Sequence, residues 1–99
     1  EKEPNLILDG EMQLDAAIVQ QIAKMKASSS PIQGMANTLI FPNLDAGNIG
    51  YKLVQWLGKA EAYGPLCLGL AKPVNELSWG SSSNDIVGVI AITAVQAQE

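Results

Sequence analysis

Between Gly64 and Ile86 the chain reads GPLCLGLAKPVNELSWGSSSNDI, and this stretch holds the side chains whose types and order suit a ligand loop. Lys72 is the one cation from Ala60 to Glu99 and can hold an anion, although a lysine before a proline in a polar loop is by default solvated. Asn75 can fasten a loop through its amide. Ser78 offers a hydroxyl in a setting where a plain turn serine is the commoner outcome. Trp79 offers a large ring with one donor and no charge, able to stack on a planar ligand, to cover an apolar group or to plug a gap. The amides from Ser81 to Asn84 open a helix, and helix starts bind anions without side-chain charge. Asp85 follows Ser82 by three residues, the spacing of a capping box, where a carboxylate serves the free amides whatever else it does.

What the chain lacks narrows the chemistry. It has no histidine and one cysteine, so neither a Ser-His-Asp nor a Cys-His arrangement, nor a His-ligated metal site, can be assembled from it. Cys67 lies among leucines and reads as a buried, inert thiol with no disulfide partner. All six basic residues are lysines, which removes the bidentate arginine fork for phosphate. The net charge of −4 without a basic cluster argues against nucleic acid. No apolar run approaches membrane-spanning length, and the charged start Glu1-Lys2-Glu3-Pro4 carries no secretory signal, so a cytoplasmic protein is expected. The start also lacks Met, as in a processed chain or an excised piece. Ninety-nine residues, 47% of them hydrophobic, allow a single domain, 1–99.

The elements that must position these residues follow from periodicity and punctuation. Asn5-Leu6-Ile7-Leu8 reads as a short buried strand closed by Asp9-Gly10. Leu14, Ile18, Ile22 and Met25 recur at helical spacing, with Lys24 and Lys26 near the end of that helix, where cations suit the dipole. Ala27-Ser28-Ser29-Ser30-Pro31 stops it. Thr38-Leu39-Ile40-Phe41 reads as a second strand, ended by Pro42. A turn-rich connection then enters a helix from about Ala46 to Leu57, with Ile49, Leu53, Trp56 and Leu57 as its buried stripe. Gly47 and Gly50 within it allow close packing against a sheet, or a backbone surface facing a cleft. Leu66-Cys67-Leu68-Gly69-Leu70 is the third strand, and the polar loop after it lies where ligands sit in α/β folds. Asn84 to Gln98 reads as an amphipathic helix on Ile86, Val87, Val89, Ile90, Ile92 and Val95. The order β-α-β-α-β-loop-α predicts an α/β sheet with helices on its faces. Such a core is thin, which favours an oligomer or a missing partner domain.

Beside that reading stands a resemblance carried by residues. The stretch is similar to the C-terminal signature of the phosphate acetyltransferases (phosphotransacetylases), roughly G-P-x-L-Q-G-L-x-K-P-V-N-D-L-S-R-G-x-x-x-x-D-I. Gly64, Pro65, Gly69, Leu70, Lys72, Pro73, Val74, Asn75, Leu77, Ser78, Gly80, Asp85 and Ile86 match it. GEMQLDAA (10–17) and NTLIFPNLDAGNIGYKLVQ (37–55) are similar to the same family. The resemblance implies a three-layer α/β/α fold with a small, mostly parallel sheet, like that of the isopropylmalate dehydrogenases, corresponding to the second domain of phosphotransacetylase. It implies transfer of acetyl from acetyl phosphate to coenzyme A, with coenzyme A as substrate and no resident cofactor or metal. Asp85 takes the place of the base and Ser78 that of a donor to the tetrahedral transition state, with Lys72, Asn75, Trp79 and Ser81 on the substrate side. The implied partners are coenzyme A, acetyl phosphate, an absent N-terminal domain and a second copy of the chain in a homo-oligomer.

Two departures bear on activity. Trp79 stands where the signature has arginine, and a neutral indole cannot replace a guanidinium at a phosphate. Leu68 stands where it has glutamine. Weak or absent acetyltransferase activity is therefore expected of this chain alone. The alternatives are a noncatalytic acyl-CoA-binding regulatory module, like that ending some bacterial malic enzymes, and a domain that only makes a dimer contact.

Overall fold

In the computed structural model, which describes residues 3–98, helices form where local signals are strongest. The charged start at Glu1-Lys2 and the final Glu99 lie outside these residues. The chain divides into two units, Glu1–Phe41 and Pro42–Glu99.

The first unit contains α1 (Leu14–Ile18) and α2 (Gln20–Lys26), packed on each other. One continuous helix was expected here, but the chain breaks at Val19, whose backbone is extended at φ −123° and ψ 109°. The reason lies farther along the sequence. The Ala36 amide donates to the Ala17 carbonyl at 2.9 Å, taking the acceptor that a continuous helix would offer to Gln21. Gly34 makes room for this crossing: at φ +74° its backbone lies so close that a Cβ would sit 2.5 Å from Gln20 N and Val19 C. Gly34→Ala is therefore expected to destabilise this unit by on the order of 1–3 kcal/mol, from the left-handed φ and the overlap together. A urea midpoint equal to that of the parent would contradict this. Ala16, Ala17 and Ala23 are buried between the two helices, and Ser30 is the buried polar residue beside them. Lys24 and Lys26 occupy the last turn of α2 as expected, and turns follow at Ser28–Ser29 and from Pro31 to Gly34.

The second unit holds α3 (Leu44–Trp56) and α4 (Ser83–Gln96). Asn43 caps α3, its side chain accepting from the Ala46 amide at 2.9 Å, so the helix starts two residues ahead of Ala46. The expected buried stripe of α3 is not buried: Ile49, Leu53, Trp56 and Leu57 are all exposed, because α3 and α4 do not pack on each other. On α4, Val89 is buried, whereas Val87, Ile90 and Val95 face outward.

The expected three-layer α/β/α arrangement with a mostly parallel sheet is not formed. Among the described residues there is no strand, and the single β pairing is an isolated antiparallel bridge between Leu66 and Asn75. A strand exists only when a neighbour's backbone completes its ladder, and apolar sequence alone does not supply that neighbour. Asn5–Leu8 has only a turn bond, Leu6 N to Glu3 O at 3.3 Å, and Leu8 is 76% exposed. Thr38–Phe41 is unpaired, with Ile40 91% exposed. Leu66–Leu70 pairs at Leu66 alone, with Leu68 83% exposed. No helix among the described residues is long and apolar enough to cross a membrane.

Candidate functional site

The loop from Lys72 to Gly80 enters α4 through a run of backbone and hydroxyl bonds. The Ser81 amide donates to the Ser78 carbonyl at 3.0 Å, closing a turn whose outer corner is Trp79-Gly80. The Gly80 amide leans on the Ser78 hydroxyl at 3.4 Å, a weak bond that leaves the hydroxyl proton free to be donated outward. One residue on, the capping box read from the sequence is formed in full. The Ser82 hydroxyl accepts from the Asp85 amide at 3.2 Å, and Asp85 Oδ2 accepts from the Ser82 amide at 2.7 Å. Ser78 and Ser81 are thus joined in one turn and Asp85 belongs to the cap that follows it, with no hydrogen bond between Ser78 and Asp85 among the described residues. Asp85 has its second carboxylate oxygen left over from the cap.

The other residues of the loop sit differently. Trp79 is fully exposed. Lys72 is exposed and makes no ion pair or hydrogen bond among the described residues. Asn75 points inward, accepting from the Cys67 amide at 3.0 Å and donating to Thr93 Oγ1 and Gln96 Oε1, both at 2.8 Å. Cys67 is only half-buried, because the run around it has no sheet to enter. Sequence reasoning missed Thr93 and Gln96. Their spacing of three along α4 puts two polar side chains on one face of an otherwise apolar helix, which is the signal that would have found them.

Tyr63 is the other neighbour of the corner. Its ring lies against α4 at Gly88, where any Cβ would overlap the ring carbons. Its hydroxyl donates to Glu61 Oε2 at 2.9 Å, and this bond, with the charges of Glu61 and Asp85, pushes the phenol above its ordinary range.

The first unit carries an open groove of about 410 Å³, lined in part by Asp9, Gln13, Lys26 and Ser30. Lys26 Nζ bridges Gln13 Oε1 and Asp15 Oδ2 at 2.7 Å each, tying α2 to α1. The Lys26 bond holds the Asp15 carboxyl below its ordinary 3.8, and the Ser30 hydroxyl and Gly10 amide do the same for Asp9. Both carboxyls bind protons more weakly folded than unfolded. Their contribution is therefore complete above the ordinary carboxylate range and is lost as the pH falls through the lowered values. The stability of this unit should drop between about pH 5 and pH 2, and Lys26→Met should flatten that dependence. An acid series of urea midpoints with the same slope in both chains would contradict it.

Against this geometry, comparison with known proteins places the chain. The family model for phosphate acetyl/butaryl transferase matches residues 1–94, and the chain belongs to that family. It is 67% identical over 98 residues to the phosphate acetyltransferase of Acetivibrio thermocellus, covering 99% of this chain and 30% of that protein. It is 62% identical over 95 residues to that of Clostridium acetobutylicum, covering 96% of this chain and 28% of the relative. Its structure is similar to EutD phosphotransacetylase from Staphylococcus aureus, with a TM-score of 0.79 and 53% identity, over 90% of this chain and 27% of the other. The chain thus spans about 30% of the length of these relatives.

Proposed function

We propose that, inside a chain of the relatives' length, these residues form part of a site that moves an acetyl group between phosphate and coenzyme A. The observation that carries the reading is the Ser78–Ser81 turn running straight into the Ser82–Asp85 capping box, which sets a serine hydroxyl, a carboxylate and the start of a helix within eight residues in a member of the transferase family. Asp85, through the oxygen the cap leaves over, takes the proton of the coenzyme A thiol, which at a pKa of about 8.5 is mostly protonated at neutral pH. The thiolate sulfur bonds to the carbonyl carbon of acetyl phosphate. The Ser78 hydroxyl donates to the oxygen that gains charge, and collapse of the tetrahedral species breaks the carbon–oxygen bond to phosphate, which leaves. Lys72 and the amides at the start of α4 attract the phosphate.

Trp79 favours a second reading. With an exposed indole where the family signature has arginine, the corner binds the acyl-CoA without turning it over, as a regulatory module does. The test uses the Acetivibrio thermocellus relative with its matched region replaced by this chain. Acetyl-CoA formation by this chimera that disappears on Asp85→Asn supports the catalytic reading. Binding of coenzyme A with no turnover in either protein supports the second.

A further inference from the structure

Asn75 uses both of its amide protons and one acceptor position of its oxygen within this chain. Oδ1 accepts from Cys67 N at 3.0 Å, and Nδ2 donates to Thr93 Oγ1 and to Gln96 Oε1 at 2.8 Å each. The polarity of the arrangement is fixed at its far end. The Thr93 hydroxyl gives its proton to the Val89 carbonyl at 2.7 Å, so toward Asn75 it can only accept. Around this side chain the Leu66–Asn75 bridge and the bond from Glu76 N to Pro65 O at 3.1 Å join the loop to the segment before it. The loop carrying Ser78 is therefore fastened at two places: by Asn75 near the end of α4, and by the Ser78–Ser81 turn at its start.

We propose that Thr93 and Gln96, acting through Asn75, are positioning residues: the three side chains clamp the Lys72–Gly80 loop along α4 and so hold the Ser78 hydroxyl in register with the Asp85 carboxylate. The inference rests on the acetyl-transfer reading of that corner. It assigns Asn75 to the scaffold and not to the substrate, since both of its donors and its oxygen are held by this chain's own groups. Thr93 and Gln96 touch neither the loop tip nor Asp85, yet loss of their acceptors leaves the Asn75 amide half-unsatisfied and free to turn. A misplacement of about 1 Å in such a register costs up to about 10²-fold in rate.

The experiment uses the full-length chimera with three changes: Thr93→Val with Gln96→Met, Asn75→Ala, and all three together. The expected result is a fall in kcat of about tenfold or more for the double variant, with KM for coenzyme A within about threefold of the parent. Asn75→Ala should fall by the same factor, and the triple variant should fall no further than either. Rates are read well below each variant's melting temperature, so a merely structural loss leaves kcat unchanged. An unchanged kcat in the double variant overturns the clamp, whether melting drops or not. So does a raised KM confined to Asn75→Ala, which would make Asn75 a substrate contact. Asp85→Asn run alongside separates the two levels. If it keeps full activity, the acetyl-transfer reading fails and the clamp with it. If it is inactive while the double variant is not, the clamp alone fails.

Discussion

Trp79→Arg in the full-length chimera is expected to raise the rate of acetyl-CoA formation by about 10²–10³-fold, the usual worth of one well-placed donor at a charged transition state. The side chain is fully exposed at the corner of the Ser78–Ser81 turn, with nothing packed on it, so the exchange leaves the fold alone. What changes is the chemistry of the corner. An indole offers one donor and no charge, whereas a guanidinium offers a planar fork that pairs with two phosphate oxygens at once. The chain has no other arginine to take this part, and its nearest cation in sequence is Lys72, a point charge at the far end of the loop. The helix start beyond Gly80 supplies amides, which supplement a guanidinium and do not equal it. A rate unmoved by the substitution, with the fold intact, would mean that phosphate does not approach this corner.

Local chemistry was legible in the sequence, and partnership was not. The capping box at Ser82 and Asp85 is decided by four consecutive residues, and it forms as read. The stop after Lys26 and the starts of α3 and α4 are likewise set by short runs of polar and turn residues, and they fall within a residue or two of expectation. The three apolar runs read as strands failed for the opposite reason. Asn5–Leu8, Thr38–Phe41 and Leu66–Leu70 have the composition of strands, but a ladder needs a second backbone, and the described residues provide one only at Leu66 and Asn75. The break at Val19 was hidden in the same way, because the bond that competes with the helix comes from Ala36, seventeen or more positions away in the register of the pattern. At the candidate site, Ser78 and Asp85 could be singled out from the order KPVNELSWGSSSND. That Asn75 fastens the loop could be read there too, but its partners Thr93 and Gln96 could not, since they lie 18 and 21 residues downstream.

The cap is also what makes Asp85 a clean test of the whole account. Its carboxylate is committed to the Ser82 amide through Oδ2, and an asparagine at the same place can accept that bond through its amide oxygen. Asp85→Asn therefore keeps the start of α4 while removing the only feature a proton acceptor requires, a basic oxygen. General acid–base steps of this kind contribute about 10²–10⁴-fold, so the loss should dwarf any effect on folding. If Asp85 serves as a cap and nothing more, truncation to alanine costs about 1 kcal/mol and turnover survives every substitution that leaves the helix intact. The measurement that bears most directly on the proposal is kcat for acetyl-CoA formation by the chimera and by its Asp85→Asn variant, with the melting temperature of each. In the Asp85→Asn variant kcat should fall by about 10²-fold or more at a melting temperature within about two degrees of the parent. Equal turnover in the two proteins would contradict it and leave Asp85 as the cap of a helix.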